Sequence, residues 1–164
     1  MPTTRFSTAN IILHWTIALL IVGNGVLAMM IDNWPREERP PIVNLHAVLG
    51  VAVLLLTVVR IVNRIKNPAP PLPAGPAWIE KAAKAGHGLL YLGTLLIPLS
   101  GFAALFTRGF GLNFGLFQIA APMARQDRSV FGPVTEVHEL LFWAVIIIAA
   151  GHAGAALWHQ FSLR

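Results

Sequence analysis

Four stretches of this sequence run for 20 residues or more without one Asp, Glu, Lys or Arg: residues 6–31, 40–59, 85–107 and 140–163. A helix needs about 20 apolar residues to cross a hydrocarbon core ~30 Å thick, so each stretch is long enough to span a bilayer. Of the 164 residues, 55% are hydrophobic and only 12% charged, a balance far from that of soluble domains. The predicted fold is an all-α membrane protein, a bundle of four transmembrane helices forming a single domain over residues 1–164. The helices are expected near 7–31, 42–64, 78–106 and 133–161.

The first span follows Arg5 and invites comparison with a signal peptide. Its apolar run is too long for such a segment and no small-x-small cleavage site follows it, so it is read as a membrane helix. Pro133, after Gly132, is expected in the first turn of the fourth helix, with Glu136 and Glu139 at the positive end of its dipole. Pro98 should kink the third. Gly23, Gly25, Gly86, Gly88, Gly151 and Gly154 are read as places where a helix or a flat cofactor comes close. The proline-rich stretch 67–73 reads as a stiff linker.

An even number of spans puts both termini on one side. That side carries Arg5, Arg60, Arg64, Lys66, Lys81, Lys84 and Arg164 against Glu80. The other carries Arg36, Arg39, Arg108, Arg125 and Arg128 against Asp32, Glu37, Glu38, Asp127, Glu136 and Glu139. The positive-inside rule therefore predicts cytoplasmic termini in a bacterial inner membrane. The sequence pI of about 10.8 reflects these helix-end charges rather than a nucleic-acid surface, and no nucleic-acid partner is expected. With no cysteine, disulfides, iron–sulfur clusters and covalently attached c-type haem are excluded.

All six histidines lie in or beside the apolar segments. His138 and His152 are fourteen residues apart on the fourth helix, which returns the side chain to nearly the same face ~21 Å further along. His46 falls at the outer depth of His138, and His14 at the inner depth of His152. Each pair brings one imidazole from each of two helices to one level, as bis-histidine haem ligation requires. Polar side chains in lipid are costly unless paired or ligated. The bland alternative for any one of them is a histidine hydrogen-bonded to a backbone carbonyl, and His87 is an alternative to His14 as ligand. His87 and His159 lie toward the inner interface, either as plain polar residues or as a quinone pocket that bonds a carbonyl and relays protons. Arg60, fourteen residues after His46, and Arg64 one turn on are candidate partners of haem propionates, or simple interfacial anchors. Trp15 and Trp158 belong in the interfacial belt in any case.

Several segments together resemble the bacterial diheme cytochrome b561 family. They are Ile12-Leu13-His14-Trp15, Trp34-Pro35-Arg36-Glu37-Glu38-Arg39-Pro40, Ile42-Val43-Asn44-Leu45-His46-Ala47 and Val59-Arg60. Further on come Gly86-His87 with Leu90-Tyr91-Leu92, Thr107-Arg108-Gly109, Phe114-Gly115-Leu116, His138-Glu139, His152-Ala153 and His159. The resemblance implies two non-covalent b haems, enclosed by the bundle, and a ubiquinone site to which His87 and His159 contribute. It also implies a superoxide:ubiquinone oxidoreductase. On that reading Arg36, Arg39, Arg108, Arg125 and Arg128 are candidates for steering the superoxide anion to the outer haem. Bis-histidine iron has no vacant position and passes electrons rather than activating oxygen. The alternative is a cytochrome b electron-transfer subunit linking a periplasmic dehydrogenase or partner cytochrome to the quinone pool.

Overall fold

The computed structural model describes residues 6–68, 70 and 76–162, without the side chains of residues 159, 160 and 162. Arg5, Arg164, most of the proline-rich linker and the side chain of His159 lie outside the described residues. Four long helices carry the fold: α1 (Thr8–Met30), α2 (Arg39–Lys66), α3 (Ala77–Thr107) and α4 (Arg128–Ser162). All four are long and apolar enough to cross a membrane. A 3₁₀ turn, Ile31–Asn33, follows α1. Two short strands, β1 (Leu112–Asn113) and β2 (Gln118–Ile119), pair antiparallel between α3 and α4.

The ends of the helices follow local chemistry. Ser7 caps α1, its hydroxyl accepting from the Asn10 amide at 3.3 Å. Prolines in the first turn of α2 need no N–H partner there, so the helix starts at Arg39, earlier than the apolar pattern suggested. The larger correction is at α4. Asp127's carbonyl accepts from the amides of Val130 and Phe131 at 2.9 and 3.1 Å, so the helix begins at Arg128. Pro133 therefore lies inside α4 rather than in its first turn. Pro98 lies buried within α3, which continues through it.

Close backbone packing joins α3 to α4, α1 to α2 and α2 to α3. Among the described residues α4 has no comparable contact with α1 or α2. The buried apolar core is small: Ile17, Val53, Ala104, Leu105, Leu112 and Val145. Most large apolar side chains face outward instead, as they must when the surrounding solvent is lipid. Of the six glycines expected at close approaches, Gly25 alone has a neighbour there, the Phe142 ring. Gly93 meets Val145 in the α3–α4 contact, and Gly101 meets His138. Beside Gly23, Gly86, Gly88, Gly151 and Gly154 the space is open.

Candidate functional site

Two imidazoles meet at the upper end of the bundle, where α2 and α4 begin. His46 on α2 and His138 on α4 have ring centres 6.0 Å apart at 81°. Nδ1 of His46 donates to the Asn24 carbonyl at 3.2 Å, and the Asn24 carboxamide donates back to the His46 carbonyl at 3.1 Å. A carbonyl only accepts, so Nδ1 holds the proton and Nε2 keeps its lone pair. His138 is fixed the same way, its Nδ1 donating to the Ile97 carbonyl at 2.9 Å. Ser100 Oγ lies 3.1 Å from that nitrogen and itself donates to the Ile97 carbonyl at 2.9 Å. A Cβ on Gly101 would stand 3.0 Å from the ring's Cε1, so α3 offers this imidazole a carbonyl, a hydroxyl and a gap.

At the lower end three imidazoles gather. His14 on α1 and His152 on α4 have ring centres 6.3 Å apart at 85°. His87 on α3 sits closer to His152, at 5.1 Å. Arg60 on α2 is held against α3 one turn after His87. Its Nε donates to the Tyr91 hydroxyl at 3.2 Å, and its guanidinium lies 5.6 Å from the centre of the same ring. Arg64, one turn on, lies over the Phe6 ring at 5.3 Å.

The arginines singled out at the upper end separate into two clefts that share one residue. Arg36, Arg39 and Arg108 line one cleft, where the single acid is Asp32. Arg108, Arg125 and Arg128 line the other, facing Asp127 and Glu136. Arg39 is committed: it pairs with Asp32 at 2.7 Å and donates to the Trp34 carbonyl at 2.9 Å. Arg108 donates to Thr135 Oγ1 at 3.1 Å while its buried Nε finds no partner among the described residues.

Comparison with known proteins gives one consistent result. The prokaryotic cytochrome b561 pattern matches residues 5–164. The chain belongs to the prokaryotic cytochrome b561 family. It is 32% identical to cytochrome b561 homolog 1 of Escherichia coli (strain K12), over 96% of this chain and 90% of that one. It is 33% identical to cytochrome b562 of Cereibacter sphaeroides, over 97% and 89%. A probable superoxide oxidase CybB of Yersinia pestis is 29% identical over 98% and 91%.

As a b561 family member the chain is a multi-pass bacterial membrane protein, an electron-transfer cytochrome of the oxidoreductase type, in a family that binds b-type haem. The histidine geometry suits that group. A first-row metal bonds imidazole nitrogen at about 2.0–2.1 Å and the nitrogen lies ~1.1 Å from its ring centre, so two trans imidazoles stand ~6.3 Å apart. The pairs His46–His138 and His14–His152, at 6.0 and 6.3 Å, have that separation. His87–His152, at 5.1 Å, is too short for it. Both fitting pairs also bridge α4 to helices with which, among the described residues, it shares no close backbone packing, and open space lies beside Gly50, Gly86 and Gly151.

Asn24, Ser100, Gly101 and Tyr91 carry no expectation from sequence as parts of this site. Asn24 did leave a signal, a carboxamide inside a charge-free span, where an unpaired polar group is costly.

Proposed function

We propose that this cytochrome is a single membrane domain holding two b haems, one between His46 and His138 and the other between His14 and His152. It takes electrons from superoxide and delivers them to ubiquinone. The upper end faces the periplasm, and both termini face the cytoplasm of an inner-membrane protein. The observation that carries the reading is the pair of imidazole separations, 6.0 and 6.3 Å, at two levels of one bundle. The haems, when bound, supply two one-electron carriers in series across the bilayer.

Arg36, Arg108, Arg125 and Arg128 draw the anion to the upper end, where superoxide gives up one electron and leaves as oxygen. Asp32 is neutralised by Arg39, which removes one of the acids that would oppose capture. At the lower end, two such electrons and two protons convert the quinone to quinol. His87 is the imidazole there that no trans pair uses, and it hydrogen-bonds the quinone carbonyl together with His159. Arg60, held by Tyr91, supplies a fixed positive charge at that level, and Arg64 anchors the end of α2.

Rapid mixing of the purified cytochrome with superoxide tests the donor. Haem reduction near the diffusion limit, followed by quinone reduction, is expected; slow or absent reduction overturns the superoxide reading and leaves the cytochrome intact. A second reading has some support, because two of the relatives above are named only as cytochromes. In it the chain links a partner dehydrogenase or cytochrome to the quinone pool, and a stoichiometric partner would co-purify.

A further inference from the structure

Between Arg108 and Arg125 the chain runs for 16 residues without a charge, although this is a connection and not a span. A loop bathed in water is normally polar, and exposed apolar side chains in a cluster mark a surface that something covers. The segment is rigidly built at its base. Asn44 on α2 and Asn113 on β1 exchange two hydrogen bonds, each 2.8 Å, side chain to backbone in both directions. The Gln126 amide donates to the Thr107 carbonyl at 2.8 Å, and Leu112 is buried. Gly111 passes so close to the Ile119 carbonyl that a Cβ there would collide with it.

The tip is the opposite. Phe114 and Phe117 close the turn, the amide of the first donating to the carbonyl of the second at 3.0 Å. Gly115 takes φ +83°, and its amide donates to Asn113 Oδ1 at 2.8 Å. This order presents Leu116 almost completely, at 98% exposed, with Phe117 at 58%. Ile119, Phe110 and Met123 are exposed beside them. A turn held this firmly with a leucine pointing outward gains nothing inside the protein.

We infer that the β1–β2 hairpin is an interfacial anchor whose tip, Leu116 and Phe117, inserts into the bilayer surface at the end where α2 and α4 begin. The occupant follows from continuity. The hairpin lies in the connection between two membrane-spanning helices, from Thr107 to Arg128, whose ends are tied by the Gln126–Thr107 bond, so its base stands at the membrane surface. It carries no charge that would resist entry, and arginines stand at both of its roots, where they can stay with the headgroups. The Asn44–Asn113 clamp ties this anchor to α2 two residues before His46, and Phe110 and Gly111 form part of the wall of the Arg36–Arg108 cleft. Membrane contact at the tip thereby fixes one side of the upper site.

The chain has no cysteine, so Leu116→Cys gives a single labelling position. The full-length cytochrome carrying an environment-sensitive fluorophore there is reconstituted into phosphatidylcholine–phosphatidylglycerol vesicles. A blue-shifted emission, quenched by headgroup-level nitroxide lipids and protected from iodide, is expected; Glu37→Cys, labelled alike, should show the reverse. Iodide quenching without lipid quenching at position 116 overturns the proposal. Protection that fades as protein is diluted in lipid overturns it too, because a second copy would then be the cover. Neither result depends on haem content or on the electron donor.

Discussion

The two ends of the bundle hold their histidines in different ways. At the upper end both imidazoles are tied through Nδ1 to carbonyls of neighbouring helices, Asn24 for His46 and Ile97 for His138. At the lower end, among the described residues, His14, His87 and His152 have no such bond; a third imidazole and an arginine held by a tyrosine stand there instead. The upper imidazoles are tied in place, whereas those of the lower level carry no such tie among the described residues, which suits the proposed quinone site. The difference has an electronic side as well. A hydrogen-bonded imidazole is a more basic ligand and favours the oxidised metal, while a nearby guanidinium favours the reduced one. With a haem held at each level, as proposed, both effects would make the lower one the easier to reduce and would favour electron flow from the upper end to the lower.

The comparison breaks most readily at the ligands. His138→Ala should halve the haem content and leave the spectrum of the lower haem, as read from reduced-minus-oxidised difference spectra. Two intact haems in that variant would remove the upper pair altogether. Next in size, Gly101→Ala places a Cβ against the His138 ring and should cost about 1–3 kcal/mol through forced repacking, seen as a lower thermal midpoint and weaker retention of the upper haem. Arg60→Gln should lower the higher of the two potentials by about tenfold in the reduction equilibrium, ~59 mV for one electron, with Arg60→Lys close to the parent. A shift confined to the lower potential would contradict the asymmetry. The smallest effect is expected for Ser100→Ala, which loosens one hydrogen-bonded ligand. At ~0.5–1 kcal/mol it should raise the lower potential about two- to fivefold in that equilibrium, with Ser100→Thr reversing the change.

How much of this was legible in the sequence depends on what each feature is made of. The four helices were, because a charge-free run of bilayer length has few other uses. The two histidine levels were also, since fourteen residues is nearly a whole number of turns and sets both depth and face. Between His14 and His87 beside His152 the sequence favoured His14 by depth, but the separations that distinguish them, 6.3 and 5.1 Å between ring centres, come only from packing. The groups that fix His46 and His138 were hidden for a plainer reason: a backbone carbonyl belongs to every residue, so nothing in the letters marks Asn24 or Ile97 as the acceptor. Arg39 read as a free steering charge, and its pairing with Asp32, seven residues away across a turn, was not legible. The start of α4 was misjudged because Pro133 was given the first turn that Asp127 and Arg128 occupy. Among the glycines, Gly93 and Gly101 carry contacts that Gly23 and Gly86 do not, a difference only packing reveals.

The central claim, that two trans-imidazole pairs serve two haems and leave His87 free, is tested most directly by counting haem in three purified proteins side by side. The account predicts two haems per chain in the parent, two in His87→Ala and one in His14→Ala. One haem in His87→Ala with two retained in His14→Ala would contradict it.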